Sequence, residues 1–293
     1  MGSTILDDLQ RLREALEELN GLVTEQPNES SERIDELPIE SILQTINAED
    51  ARVSGIVRQA IPQIAEVVAA AVRAISSGGR LMYVGAGTSG RLGVLDAAEC
   101  PPTYGVPTTL VTGLIAGGLS ALTVAQEGAE DDVEQARRDF TDAKITSSDA
   151  VLGITARGKT PWVREILKLA HEQGGWTGLI TCNPIEPSPE VASMVILDVG
   201  PEVVTGSTRM KAGLATKMAL TMISTAAMIR LGRVRGNRMV DLMPNSDKLR
   251  ARQVKTIMES LDVTVEEAVA RLKGADGDLR HALEGDDSPD SGG

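Results

Sequence analysis

Cysteine and histidine are both scarce in this sequence of 293 residues. The two cysteines, Cys100 and Cys182, form no C-x-x-C pair and have no histidine cluster near them, so neither a disulfide framework nor a metal site is indicated. We expect both to be small buried residues. The two histidines, His171 and His281, lie in no recognised motif. Any acid and base catalysis is therefore expected from other side chains.

Basic residues are also outnumbered: the sequence has 29 lysines and arginines and 42 acidic residues, which gives a net charge of −13. A chain of this sign is repelled by nucleic acids and by anionic membranes, so neither is expected as a partner. An anionic ligand must then meet a local positive site.

Long hydrophobic runs are absent as well. The N-terminal stretch is acidic and lacks the apolar core of a signal peptide. The longest apolar helix candidate, Met218 to Ile229, is too short to span a bilayer. We therefore expect a soluble, cytoplasmic protein.

The first 75 residues predict helices. Four leucines at spacings of three and four form one stripe of an amphipathic helix: Leu9, Leu12, Leu16 and Leu19. Packing of this stripe on the protein's own body is favoured over a coiled coil, because two to three heptads are marginal alone. The segment from Ile42 to Ile75 predicts two helices, separated at Pro62.

Short apolar runs alternate with longer helical stretches after Gly79. Five of them are plausible buried strands: RLMYVG, TTLVTGLI, DAVLGIT, TGLITC and MVILDV. This alternation predicts an α/β fold with a doubly wound five-stranded parallel sheet flanked by helices. Ligands are expected at the carboxyl ends of the strands.

The predicted organisation has four parts. Residues 1–24 form an N-terminal helical extension, and residues 25–240 form the α/β domain with its leading helices. Residues 241–283 form a small C-terminal helical region. The acidic tail, residues 284–293, is expected to be disordered.

Two of the predicted strands run into glycine-rich loops. Gly85, Gly87 and Gly90 match the dinucleotide fingerprint G-x-G-x-x-G, but the next strand ends without the acid that would hold a ribose hydroxyl. The second loop, GITARGKT, matches the P-loop pattern of nucleotide triphosphate enzymes, for which Asp198 could hold Mg²⁺.

Both loops share the elements of an anion site. Glycines let the backbone approach an anion, and the following helix offers free N–H groups at its positive end. Hydroxyl donors are present in both: Thr88 and Ser89 in the first, Thr160 in the second. Two such loops on one sheet edge suit a phosphate monoester. The alternative is that the glycines only allow tight strand-to-helix turns.

Three longer strings carry a family resemblance: GAGTSGRLGVLDAAECPPTYGV, GLIAGG followed by EGAEDD, and EVVTGSTRMKAG followed by MISTAAMIRLGRVRGNRMVDL. They resemble the N-acetylmuramic acid 6-phosphate etherases, a branch of the sugar isomerase (SIS) fold, over roughly Leu22 to Ile257. GITARGKT aligns with the family's second sugar-phosphate loop, so its P-loop pattern is interpreted as coincidence.

The resemblance implies cleavage of the lactyl ether of a phosphorylated amino sugar by elimination and water addition, without a metal or redox cofactor. It assigns Glu130 to removal of the carbon 2 proton and Glu99 to protonation of the departing lactate oxygen. One of the two must be ionised and the other protonated at neutral pH. The alternative function is a non-catalytic sugar-phosphate regulator resembling the glucokinase regulatory proteins.

Glu99 raises a problem of reach. If Ser89 to Glu99 is one continuous helix, Glu99 lies about 15 Å along its axis from the phosphate loop, farther than a hexose phosphate extends. Either the helix ends early at Pro101 and Pro102, or Glu99 serves a partner subunit's site. We expect a homodimer.

The segment PEVVTGSTRMKAG predicts a third wall of the site. Ser207 and Thr208 fit helix N-cap positions, Glu202 could bind sugar hydroxyls, and Arg209 and Lys211 could offset the negative charge locally. The predicted substrate contacts are Gly87, Thr88, Ser89, Arg157, Lys159, Thr160, Glu202, Ser207, Thr208 and Arg209.

Arg157 departs from the resemblance, since the family's second loop typically reads A-A-S-G-R-T-P and has serine at this place. We expect its guanidinium near the phosphate, as a charged forked donor. The alternatives are that its bulk fills the pocket, or that it turns to solvent while backbone N–H groups hold the phosphate.

Overall fold

A computed structural model describes residues 5–241 and 247–284 of the chain. The N-terminal helices are α1 Ile5–Asn20, α2 Ile39–Asp50, α3 Val53–Gln59 and α4 Ile61–Ser76. The α/β part comprises β1 Leu81–Gly85, α5 Gly87–Tyr104, β2 Val111–Ile115, α6 Val133–Asp142, β3 Ala150–Ile154, α7 Pro161–Glu172, β4 Trp176–Thr181, β5 Ser193–Ile196 and α8 Lys211–Arg230. A hairpin and three helices follow: β6 Val234–Arg235, β7 Arg238–Met239, α9 Asp247–Leu261, α10 Val265–Gly274 and α11 Leu279–Glu284.

The five predicted strands form one parallel sheet in the order β2-β1-β3-β4-β5, which confirms the predicted fold class. Strand β1 pairs with β2 on one side and with β3, the central strand, on the other, so that Leu81 is level with Val111 and Ala150. The strand order reverses between β1 and β3. Ligands bind at such switch points in open α/β sheets, outside the carboxyl ends of the strands.

The sheet buries both of its faces. Alternate residues of β1 separate into two cores, with Leu81 and Tyr83 in one and Met82 and Val84 in the other. The first core is completed by α3, α4, α5 and α8, and the second by α6 and α7. This two-sided burial explains why the strands read as continuous apolar runs.

Helix α8 lies in the first core and corrects a prediction. It has 20 residues, so the predicted apolar span of Met218 to Ile229 is too short. By length and composition α8 is able to cross a membrane, but 56% of its apolar window is buried inside the protein, as in the core helix of a globular fold.

The N-terminal helices differ from the prediction in two ways. The stretch predicted as two helices contains three, and Pro62 lies in the first turn of α4, where its missing N–H costs no helical hydrogen bond. Helix α1 forms as predicted, but its leucine stripe does not pack on the protein's own body. Leu9, Leu12 and Leu16 are 47%, 60% and 57% exposed.

The C-terminal helices α9, α10 and α11 have a small core of their own, which includes Val240, Ile257, Ala268 and Leu279. A capping box begins α10, with Thr264 and Glu267 bonded to each other's backbone N–H groups. All but the first residue of the predicted disordered tail lies outside the described residues.

Candidate functional site

The first glycine loop joins β1 to α5 and opens the site. Helix α5 begins at Gly87, whose φ is +53°, and no side chain caps its first turn. Gly90 packs so closely on the end of β1 that a Cβ there would lie 2.6 Å from the carbonyl oxygen of Gly85. The glycines therefore bring the N-terminus of a helix against a strand end and leave its N–H groups open to an anion.

The second glycine loop follows β3 and lies beside the first. Gly158 has a φ of +76°, which lets the chain turn into α7 with Thr160 at the N-cap position. The hydroxyl groups of Thr155 and Thr160 are 2.7 Å apart and hydrogen-bonded. The loop thus holds a hydroxyl pair at the N-terminus of a second helix.

A cavity of about 200 Å³ lies between the two loops and the start of α8. Its lining contains Ala86, Gly87, Thr88, Ser89, Leu92, Glu130, Ile154, Thr155, Ala156, Arg157, Thr160, Thr208, Ala212, Gly213 and Thr216. We call it the loop cavity. Of the residues predicted to contact a ligand it brings together Gly87, Thr88, Ser89, Arg157, Thr160 and Thr208, together with Glu130. Lys159, Ser207 and Arg209 do not line it.

Glu130 lies in the connection between β2 and α6, with an exposed side chain. Its backbone carbonyl accepts the N–H of Trp162 at 3.0 Å, which ties this connection to the first turn of α7. Trp162 is fully buried, and its indole N–H donates to Asp139 at 2.9 Å. The buried Trp162 therefore fixes the backbone of Glu130, whose carboxylate borders the loop cavity.

Glu99 does not reach the loop cavity. Helix α5 continues through Pro101 and Pro102 to Tyr104, which rules out the first of the two alternatives, an early end of this helix. The helix ends instead at Gly105, whose φ of +62° and N–H bond to the Pro101 carbonyl form a left-handed cap. Glu99 remains about 15 Å from Ser89 along the axis.

A second cavity, of about 410 Å³, contains Glu99. It lies along the groove between α5 and α8 and is lined by Leu92, Leu95, Asp96, Glu99, Cys100, Thr103, Tyr104, Lys217, Leu220, Thr221, Ser224 and Thr225. We call it the helix cavity. Leu92 lines both cavities, so they are neighbours along one groove.

Asp96 is held at the floor of the helix cavity by two hydroxyl groups. Tyr83 donates to it at 2.9 Å and Ser224 at 3.1 Å. Burial raises the pKa of Asp96, and these hydrogen bonds and the charge of Lys217 only partly offset that rise. Sequence reasoning missed this cluster, because its three members are far apart in the chain and match no motif.

Glu202 and the start of α8 differ from the prediction. The helix begins at Lys211 with Met210 as its N-cap, so the N-cap positions predicted for Ser207 and Thr208 are wrong. Glu202 is 0% exposed, and its two oxygens accept the N–H groups of Lys211 at 3.0 Å and of Ala212 at 2.9 Å. It therefore caps α8 from a separate segment, is fully buried and does not line the loop cavity.

Lys211 also has a different role from the one predicted. Its side chain is fully buried, and its ammonium forms an ion pair with Glu49 of α2. The Glu49 carboxylate also accepts from Asn28 at 3.0 Å and from Arg52 at 3.1 Å. Lys211 therefore joins the N-terminal helices to the start of α8 and does not offset charge at a ligand.

Arg157 lies at the mouth of the loop cavity with its side chain 52% exposed. Its Nε is 3.9 Å from a carboxylate oxygen of Glu25, in the turn Val23–Glu25. Thr24, the middle residue of this turn, is fully buried, and its N–H donates to Asn183, which itself donates to the Ala156 carbonyl at 2.8 Å. The segment before α2 thus contacts the second glycine loop directly.

Cys100 and Cys182 are both buried, as predicted. Burial raises the pKa of each thiol to about 12, which keeps both protonated and unreactive at neutral pH. Within residues 5–241 and 247–284, no group of three or more metal-binding side chains comes together.

Comparisons with known proteins identify relatives of high similarity. The N-terminal SIS domain of glucokinase regulatory protein matches residues 63–171. The N-acetylmuramic acid 6-phosphate etherase of Lactococcus lactis is 47% identical over 267 residues, 91% of this chain and 90% of its own. The etherase of Vibrio vulnificus is 48% identical over 91% of this chain and 89% of its own.

Comparison with solved structures gives matches of lower similarity. The phosphoheptose isomerase of Neisseria gonorrhoeae aligns with 67% of this chain and 100% of its own, at 15% identity and a TM-score of 0.45. The protein c3406 of E. coli CFT073, solved as a ligand complex, aligns with 80% of this chain and 97% of its own, at 13% identity and a TM-score of 0.43.

Proposed function

The chain belongs to the N-acetylmuramic acid 6-phosphate etherase family, and from this membership we propose how its residues share the work of the reaction. The enzyme is a carbon-oxygen lyase. It cleaves the D-lactyl ether of N-acetylmuramic acid 6-phosphate to N-acetylglucosamine 6-phosphate and D-lactate, a step of cell-wall amino sugar recycling.

The phosphate is assigned to the loop cavity. The open first turn of α5 and the hydroxyls of Thr88, Ser89 and Thr160 offer neutral donors, and Arg157 adds a charge at the mouth. We assign this guanidinium to the phosphate. Lys159, Ser207 and Arg209 flank the cavity and stay as predicted contacts to be tested.

The sugar reacts as its open-chain aldehyde, in which the ether oxygen on carbon 3 is β to the carbonyl. The Glu130 carboxylate takes the carbon 2 proton. The electron pair forms the carbon 2–carbon 3 double bond, and the carbon–oxygen bond breaks as Glu99 gives its proton to the leaving oxygen. Water then adds its oxygen to carbon 3 and a proton returns to carbon 2, so the elimination and the hydration together need only a water molecule and proton transfers.

Glu99 is assigned to the site of a partner subunit. Because α5 is continuous, an early end of this helix cannot bring Glu99 closer to the phosphate loop. The exposed Glu99 side chain lies in a groove that is open to a second chain. A homodimer in which each chain gives Glu130 to its own site and Glu99 to the other satisfies both observations. We further propose a cytoplasmic location, where charged sugar phosphates are retained.

The single observation that supports this function is Glu130 beside two anion-binding loops. The alternative of a non-catalytic regulator is not favoured, because the etherase relatives extend over about nine-tenths of the chain, whereas the regulatory protein domain matches residues 63–171.

The test is release of D-lactate from N-acetylmuramic acid 6-phosphate, together with exchange of the carbon 2 proton in D₂O. We expect Glu130→Gln to lose both, and Glu99→Gln to keep exchange while releasing little lactate. Glu127→Gln is the matched control, since Glu127 is an exposed neighbour that does not line the loop cavity. Equal loss of exchange in both site variants would refute the division of roles.

Mixed dimers test the shared site. When Glu99→Gln and Glu130→Gln chains are unfolded and reassembled together, each mixed dimer has one site with both wild-type carboxylates if Glu99 acts across the interface. About a quarter of the wild-type activity should then return. No recovery in demonstrably mixed dimers would place Glu99 in its own subunit's site.

A further inference from the structure

The helix cavity contains one cationic side chain, that of Lys217, to which the proposed reaction assigns no role. Lys217 lies on α8, adjacent in sequence to Thr216 of the loop cavity, and its side chain is exposed. It shares the helix cavity with Glu99. Whichever subunit's reaction Glu99 completes, Lys217 enters the same active site.

The charges around Lys217 leave its ammonium available to a ligand. Among the residues that line the helix cavity it is the only cation, beside the acids Asp96 and Glu99. Asp96 already accepts from Tyr83 and Ser224 and interacts with Lys217 only through its charge. No carboxylate of the described ranges forms an ion pair with Lys217, although ion pairs are common on the other helices.

The substrate supplies a matching anion at a defined place. In the lactyl group, a single carbon separates the carboxylate from the ether oxygen. An acid that protonates this oxygen must therefore have the carboxylate close to it. In a chain with a net charge of −13, that carboxylate needs a local cation, and Arg157 of the loop cavity is assigned to the phosphate.

We propose that Lys217 binds the carboxylate of the lactyl group and thereby selects a lactyl ether over the same sugar phosphate without it. This inference rests on the proposed function. Lys217 takes no part in proton transfer: the carbon 2 proton goes to Glu130, the proton of Glu99 goes to the ether oxygen, and the ammonium binds the departing lactate. A compact ammonium on a flexible stem suits a carboxylate that leaves the sugar during the reaction.

The test compares ligands with and without the carboxylate. Lys217→Met keeps an unbranched side chain that is one atom shorter and removes the charge, Lys217→Arg keeps a charge, and Lys168→Met is the control on an exposed lysine of α7. The ligands are N-acetylmuramic acid 6-phosphate, its lactyl amide, and N-acetylglucosamine 6-phosphate. Steady-state lactate release and titration calorimetry measure the effects.

We expect Lys217→Met to lower kcat/KM about ten- to a hundredfold, mainly through KM, as for loss of a charge-assisted hydrogen bond. Its affinity for N-acetylglucosamine 6-phosphate should change less than about twofold. The wild-type preference for the acid over its amide should disappear in Lys217→Met and persist in Lys217→Arg and Lys168→Met.

Two outcomes would overturn the proposal. If Lys217→Met weakens the binding of all three ligands equally, Lys217 acts on the phosphate or on the fold. If it weakens the binding of none of them, Lys217 is a solvent-exposed cation or only balances the charge of Asp96. The proposed function fails separately, if the wild-type protein releases no lactate. In that case calorimetry with the acid and the amide still tests the contact of Lys217 with the carboxylate.

Discussion

The substitution Glu49→Gln tests the buried ion pair that holds α8 to the N-terminal helices. Glutamine keeps the shape and the hydrogen-bonding oxygen of Glu49 but removes the charge opposite the Lys211 ammonium, which is 0% exposed. Loss of one partner from a buried pair costs about 3–5 kcal/mol. We expect a loss of about 3 kcal/mol, because the exposed Arg52 admits solvent to one side of the network.

Urea unfolding measures this loss as a lower midpoint with an unchanged m-value. The matched control is Glu36→Gln, which removes an exposed ion pair with Arg33 and should change the free energy of unfolding by less than about 0.5 kcal/mol. A loss below about 1 kcal/mol for Glu49→Gln, or equal losses for both variants, would refute the reasoning.

Acid should reduce the difference between the wild type and Glu49→Gln. Burial raises the pKa of Glu49, but hydrogen bonds from Lys211, Asn28 and Arg52 outweigh burial, and the net pKa is below the ordinary 4.5. A lowered pKa in the folded state contributes stability that is fully present above the unfolded value and is lost as the pH falls through the folded value. The two unfolding curves should therefore converge below about pH 4.5.

Three further substitutions give separate tests. Asp96→Ala leaves the buried hydroxyls of Tyr83 and Ser224 without their acceptor, so urea unfolding should show a loss of about 1–3 kcal/mol, and an unchanged midpoint would contradict it. Gly105→Ala places a side chain at a φ of +62° and against a backbone carbonyl, so the free energy of unfolding should fall by at least about 1–2 kcal/mol. Arg157→Ala should raise the KM for the phosphorylated sugar with little change in kcat, whereas greater lactate release by Arg157→Ser would show that the arginine obstructs the site.

The sheet and the loop cavity could be predicted from the sequence because their signals are local. A strand buried on both faces is a continuous apolar run, and a helix N-terminus packed against a strand end needs glycine at fixed spacings, as at Gly87 and Gly90. Each of these patterns lies within some ten consecutive residues.

The remaining features depend on distant partners. Glu49 and Lys211 are separated by 162 positions, and nothing in either segment selects this pair among 42 acidic residues. From the sequence alone, Glu202 fits a sugar-binding role as well as a capping role. Only the position of the first residue of α8, whose N–H donates to Glu202, distinguishes the two. The leucine stripe of α1 predicts the helix but not what packs against it, since periodicity defines an apolar face and does not identify the surface that covers it.

Of the three helices that begin at the loop cavity, α5 and α8 differ in the electrostatic state of their first turns, and this difference indicates which of these two a phosphate would meet. The first N–H groups of α8 are already bonded to Glu202, whose carboxylate offsets the positive end of that helix. The first turn of α5 has no capping side chain and faces the cavity. A phosphate near α8 would meet a carboxylate, whereas at α5 it meets free donors. We therefore expect the phosphate at α5 rather than at α8, with the sugar extending from there toward Glu130 and the groove along α8.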